Sequence, residues 1–188
     1  MKQAKVLSEA ELKRVLSVIA NQRHAARNRI AVMLSFYAGM RVGEIAHLKV
    51  GDVIDNDGRV KDQIVLLAHY TKTAEARAVF VNGKLRRELE RFLSSGPTSG
   101  RDSPFLVTQK NTAFSANTLC QLFGQIYALA GVDGASSHSG RRWFITSLAH
   151  SGVSAKVIMT LAGHRHLSTT QRYIEVNDQM MRAAVEVL

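Results

Sequence analysis

The sequence predicts a mainly α-helical protein carrying one small antiparallel β-sheet, an α+β arrangement. Most of the chain shows apolar residues at helical spacing between helix caps, and between Asp52 and Val81 the period shortens while β-branched residues gather between turn signals. At 188 residues with 46% hydrophobic content, the chain is sized for one sizeable core, so a single domain over residues 1–188 is expected.

Ser8 and Glu11 form a capping box, Leu7 can pack on Leu12, and Leu12, Val15, Leu16 and Ile19 share a helical face. A second helix, from about Ala25 to Ala38, is apolar enough to be largely buried. It stops at Gly39, just before Arg41. A short third helix carries Glu44, Ile45 and Leu48, with Gly51 as its expected end. Val53-Ile54, the turn Asp55-Asn56-Asp57-Gly58, Gln63 to Ala68 and Arg77 to Val81 read as the sheet, with Lys72 near a hairpin tip. The acidic turn lacks the spacing of a calcium loop. Leu85, Leu89, Phe92 and Leu93 define the next helix, and Ser94 to Pro104 reads as a surface loop. Ser115 caps a helix presenting Leu119, Leu122, Phe123 and Ile126 and ending near Gly131. His138 opens another, which ends at Gly152. Ser154 caps the one after it, and Gly163 ends that helix in the left-handed conformation. Ser168 is expected to cap a short helix carrying Tyr173. Asp178 to Leu188 completes the chain as a helix with apolar Met181, Ala184, Val185 and Leu188.

The formal charge of +10 is spread along the chain, which favours a folded surface that meets a polyanion, nucleic acid before membrane. Cys120 is the only cysteine, which excludes an internal disulfide and a cysteine-based zinc site and suits a reducing cytosol. The longest apolar stretch, Ile30 to Met40, lies between Arg29 and Arg41 and falls far short of the roughly 20 residues that span a bilayer. The N-terminus is polar and reads as helix, not as a signal peptide.

A tyrosine hydroxyl titrates near pH ~10 and attacks poorly unless neighbours supply a base and positive charge. Arg41, Lys72, His138, Arg141, His164 and Tyr173 are the set needed to attack a phosphodiester without metal or cofactor. Two arginines can hold the nonbridging oxygens by forked hydrogen bonds, each preorganised donor contributing roughly 3 kcal/mol toward the transition state. A histidine can take the tyrosine proton and a lysine can protonate the leaving oxygen. Nothing resembles a nuclease cluster of metal-binding carboxylates, and His164 with His166 is a weak metal signal.

Gly39-Met40-Arg41-Val42-Gly43-Glu44-Ile45, Lys72 in its hairpin, His138-x-x-Arg141, and Leu161-Ala162-Gly163-His164 with Tyr173 nine positions after His164 resemble the catalytic domain of the tyrosine recombinases, the phage-integrase family. The similarity runs from about Ser8 to Val176. It implies that Tyr173 attacks double-stranded DNA to give a 3′-phosphotyrosyl link and a free 5′-hydroxyl. Arg41, Arg141 and His164 would hold the scissile phosphate, His138 would act as base, Lys72 as acid, and Glu44 as a buttress. It further implies a homo-tetramer on DNA, compatible with a monomer in solution, whose last helix, about 178–188, is exchanged between subunits, in the cytoplasm at a prokaryotic nucleoid.

The chain departs from the family pattern at Gly140, where a larger apolar residue is usual, at Arg142, where histidine is usual, and at Glu175, where a second histidine is common. It also begins at the catalytic domain, with no N-terminal core-binding domain, either as a short member like the fimbrial-switch invertases or as a fragment. Two other functions compete with recombination. The helices around Gly163 and Ser168 also suit a helix-turn-helix regulator that binds DNA without cutting it, and a type IB topoisomerase shares the same chemistry.

Overall fold

Helix α1 (Glu9–Ala20) starts at its capping box, Ser8 accepting from the Glu11 N–H (3.2 Å) and the Glu11 carboxylate from the Ser8 N–H (2.9 Å). Leu7, Leu12, Val15 and Ile19 are buried, the staple and face expected from the sequence. The computed structural model describes residues 3–68, 75–95, 100–174 and 178–186. Helix α2 (Ala25–Ala38) is the axis of the fold, every residue from Ile30 to Phe36 being buried. Because it is apolar all round, other elements cover it on every side. It ends at Gly39, whose φ of +61° is the left-handed C-cap that glycine adopts without strain.

Two short helices follow, α3 (Val42–Ala46) and α4 (Val50–Val53). Gly51 does not end a helix, as the sequence suggested, but lies inside α4. Its N–H donates to the Arg101 carbonyl (2.8 Å), and a Cβ there would stand 3.1 Å from that oxygen, so the glycine admits a distant loop. Val53 is helical, and Ile54 makes only an isolated bridge to Val60, so the Val53-Ile54 strand is absent. The turn between them forms as expected: Asp55 Oδ1 accepts the N–H groups of Asp57 and Arg59, both at 2.9 Å.

The sheet pairs β1 (Gln63–Leu66) antiparallel with β2 (Arg77–Phe80), Ile64 opposite Val79 and Leu66 opposite Arg77. Ile64, Leu66 and Val79 face the core, while Val65 and Phe80 are exposed. Lys72 lies outside the described residues. Helix α5 (Gly83–Ser94), capped by Asn82, packs on α2, where Glu88 takes both Nε and Nη2 of Arg29 at 2.7 Å. Helix α6 (Ala116–Leu129), capped by Ser115, buries Leu119, Phe123, Ile126 and Tyr127.

Helix α7 (Ser139–His150) crosses α2 closely at Gly140, where a Cβ would come within 2.5 Å of Ser35 Oγ and 2.6 Å of the Phe36 ring. Helix α8 (Ala155–Ala162) and the single-turn α9 (Leu167–Gln171) follow. They belong to a second apolar cluster of Ile145, Ala149, Ile158 and Ala162, joined by Phe144, Leu148, Val153, Tyr173 and Ile174. The last described helix, α10 (Asp178–Val185), exposes Met181 and Val185; Leu188 lies outside the described residues. Among the described residues no helix is long and apolar enough to cross a membrane.

Candidate active site

A helix leaves its last carbonyls without partners and carries partial negative charge there. At the C-terminus of α8 three guanidinium groups take three successive carbonyls. Arg77 Nη1 donates to Leu161 O (2.8 Å), Arg141 Nη2 to Ala162 O, and Arg41 Nη2 reaches Gly163 O at 3.4 Å. These arginines arrive from β2, from α7 and from the start of α3, so one helix end gathers side chains far apart in sequence. Gly163 makes the gathering possible. Its φ of +61° closes α8 with the Gly163 N–H on Thr160 O and the His164 N–H on Met159 O, both 3.0 Å, and a Cβ there would lie 2.5 Å from Arg77 Cδ.

One carboxylate sits behind the cluster. Glu44, 1% exposed, accepts from Arg77 Nη2 (2.6 Å) and Nε (3.2 Å), and from Arg41 Nη1 (2.9 Å) and backbone N–H (2.8 Å). Burial pushes the Glu44 carboxyl up, but the hydrogen bond and charge of Arg77, together with Arg41, outweigh it and hold the group below its ordinary range. Three guanidinium groups against one carboxylate leave an excess of buried positive charge. That excess registers at two groups. Burial, then repulsion from Arg41 and Arg77, pushes Arg141 down to about 9, so it stays charged at neutral pH. Burial, then the charges of Arg141, Arg41 and Arg77, pushes His164 down to about 4, leaving its ring neutral.

His164 Nδ1 lies 2.9 Å from the hydroxyl of buried Thr170. With the Thr170 hydroxyl as donor, the ring carries its proton on Nε2, which is then a donor for a ligand. Tyr173 stacks beside it, ring centroids 6.0 Å apart at 20°, and the Arg142 guanidinium carbon stands 5.0 Å from the Tyr173 centroid. Tyr173 is not on the short helix, as the sequence suggested, but two residues past its end, where its N–H closes a turn on Thr170 O (3.0 Å). Nor does Ser168 cap α9. His166, with extended φ and ψ of −120° and 136°, holds the cap position, and Ser168 lies in the first turn.

Arg41, Arg141, His164 and Tyr173 are thus brought together around the end of α8. His138 stands exposed at the N-cap of α7, one turn before Arg141. Lys72 and Glu175 lie outside the described residues. Sequence reasoning missed Arg77, reading it only as the start of a strand. Its place is the first residue of β2, opposite Leu66, with a side chain only 8% exposed. Among the described residues no group of three or more His, Cys, Asp and Glu is placed to hold a metal ion.

Solved structures share this fold over nearly the whole chain. A XerA recombinase crystal structure matches 98% of it with a TM-score of 0.75 at 24% identity, covering 63% of that chain. The Tn1549 transposon integrase in complex with circular intermediate DNA matches 99% with a TM-score of 0.78 at 18% identity, covering 67% of that chain. This is the catalytic-domain fold of the tyrosine recombinases. The sequence profile of the phage integrase family matches residues 5–180. The chain belongs to that family. Among curated relatives, the tyrosine recombinase XerA of Pyrococcus horikoshii is 30% identical over 186 residues, 97% of this chain and 60% of its own length. That of Thermococcus kodakarensis is 32% identical over the same number, 97% of this chain and 62% of its own length. The chain therefore spans about 60% of the length of these relatives.

Proposed function

We propose that this chain is the catalytic domain of a site-specific DNA recombinase that cuts and rejoins double-stranded DNA through a 3′-phosphotyrosyl intermediate. The observation that carries the reading is the guanidinium cluster on the last turn of α8, directly beside His164 and Tyr173. A guanidinium has five N–H donors, so Arg141, which uses one on Gly39 O (2.7 Å) and one on Ala162 O, retains donors for a phosphate. Arg41 and Arg141 bind the nonbridging oxygens, and His164 donates Nε2–H to the same group.

In the reaction the Tyr173 oxygen bonds to phosphorus and its proton passes to His138. The bond from phosphorus to the 5′ oxygen breaks, and that oxygen takes a proton from Lys72. Rejoining reverses these steps, and the bond energy held in the phosphotyrosyl link makes a nucleotide cofactor unnecessary. Because charge on the phosphoryl oxygens grows toward the transition state, the preformed arginine cluster lowers the barrier without reorganising. The exposed Met181 and Val185 of α10 support docking of that helix on a neighbouring subunit of a tetramer assembled on DNA. A DNA-acting chain of this type works in the cytoplasm, at the nucleoid.

Incubation with a nicked duplex, followed by denaturing electrophoresis, tests the reading. A covalent protein–DNA adduct is expected, lost in Tyr173→Phe. DNA binding without adduct in the wild type identifies a regulator instead, and relaxation of supercoiled DNA without site preference identifies a topoisomerase.

A further inference from the structure

Arg142 has no part in the reaction as written above, yet its guanidinium carbon lies 5.0 Å from the centroid of the Tyr173 ring. His164 stacks on that same ring. Arg142 Nη1 donates to Gln3 Oε1 (2.8 Å), whereas its Nε is buried with no hydrogen-bond partner. Leaving a donor of a charged group buried and unpaired costs stability. The bond to the exposed Gln3 leaves Nε unsatisfied, and the aromatic face beneath the guanidinium is the other contact that holds it here.

We infer that Arg142 is a positioning residue for Tyr173, its cation–π contact fixing the ring so that the phenol oxygen is directed at the phosphate held by Arg141. The inference rests on Tyr173 being the nucleophile. The Tyr173 ring stacks on His164, which directly follows the helix end where Arg141 is bound, so the ring lies at the edge of the arginine cluster. The contact also strengthens as the reaction proceeds. A phenol losing its proton becomes more electron-rich, and a cation over its face is attracted more strongly, which is stabilisation gained toward the transition state. This device belongs to the chain's own sequence, since Arg142 stands where the family pattern has histidine.

The test compares Arg142→Gln, which keeps a polar side chain but no charge, with Arg142→Lys, which restores the charge. In the 188-residue chain carrying ring-13C tyrosine, the Tyr173 signals are those missing from Tyr173→Phe. They are expected to shift in Arg142→Gln and to return toward the wild-type position in Arg142→Lys. At saturating nicked duplex, adduct formation should slow about tenfold in Arg142→Gln, the effect of an ordinary cation–π contact, and recover in Arg142→Lys. Unmoved Tyr173 signals overturn the inference, and so does a defect confined to DNA affinity with the saturating rate intact. If the wild type forms no adduct while the signals shift as expected, the contact stands, but Tyr173 is not the nucleophile and the positioning role falls with it.

Discussion

Arg77 and Glu44 form a two-point ion pair, 2.6 and 3.2 Å, with both side chains almost wholly buried. The pair joins β2 to α3, and through the Arg77 bond to Leu161 O it also fastens the end of α8. The helix that presents His164, and the turn that presents Tyr173, are therefore anchored to the main core by charge as well as by apolar contact.

Removing one partner of a buried pair leaves the other charge uncompensated, which costs about 3–5 kcal/mol. Glu44→Gln, which leaves Arg41, Arg77 and Arg141 without a carboxylate, is expected to lose that much stability by urea or thermal unfolding; Arg77→Met, which leaves Glu44 its bonds to Arg41, should lose less, and the double variant less than the sum. The pH dependence follows from the lowered carboxyl of Glu44. Its stabilisation is fully present above the ordinary value of 4.5 and is lost as pH falls through the lower folded-state value. Acid unfolding of the wild type should be steeper below pH 4.5 than that of Glu44→Gln. Identical acid limbs would mean that the pair is not holding the site together.

A second expectation concerns Gly140, the family departure just before Arg141. In a helix, alanine is ordinarily favoured over glycine by up to ~1 kcal/mol. Here a Cβ would meet Ser35 Oγ at 2.5 Å and the Phe36 ring at 2.6 Å, and overpacking of a tight core costs about 1–3 kcal/mol. The clash wins, so Gly140→Ala should destabilise, lowering Tm by ~2–4 °C for each kcal/mol lost. Ser35→Ala removes one of the two obstacles, and in that background Gly140→Ala should cost measurably less. An additive double variant would show that the helices do not meet at this point.

Gly140 also shows where sequence reasoning stopped. Features set by neighbours in the chain were legible: the Ser8–Glu11 box, the Gly39 stop, the Asp55 turn and the Gly163 cap all formed where their residues placed them. Features set by distant partners were not. Gly51 reads as a helix stop because the loop at Arg101 that fills its missing side chain is remote in sequence. Ser168 reads as a cap from its type, but α9 already begins at Leu167, which puts the cap at His166. The burial of Arg77 depends on Glu44 and Leu161, 33 and 84 positions away, and no local pattern announces it. Of the site itself, the residue types pointed to the chemistry, while the sharing of one helix end by three arginines emerges only from the fold.

The third expectation concerns His164, which burial and the charges of Arg141, Arg41 and Arg77 hold down at about 4 against an ordinary 6.5. Between those values the folded protein binds fewer protons at this ring than the unfolded chain does. The contribution of His164 to stability is thus present above pH 6.5 and declines as pH falls toward 4. A phosphate entering the arginine cluster reverses the field: its negative charge offsets the guanidinium groups and favours the imidazolium. Side-chain 15N NMR should therefore show His164 titrating near pH 4 in the free protein and at a distinctly higher pH with duplex DNA bound. The free ring should carry its proton on Nε2 at neutral pH. Thr170→Val, which removes the hydroxyl 2.9 Å from Nδ1, should let the other tautomer appear. Were His164 to titrate near 6.5 without DNA, or to ignore DNA altogether, the positive field ascribed to Arg41, Arg77 and Arg141 would not reach the ring, and His164 would not be facing the phosphate.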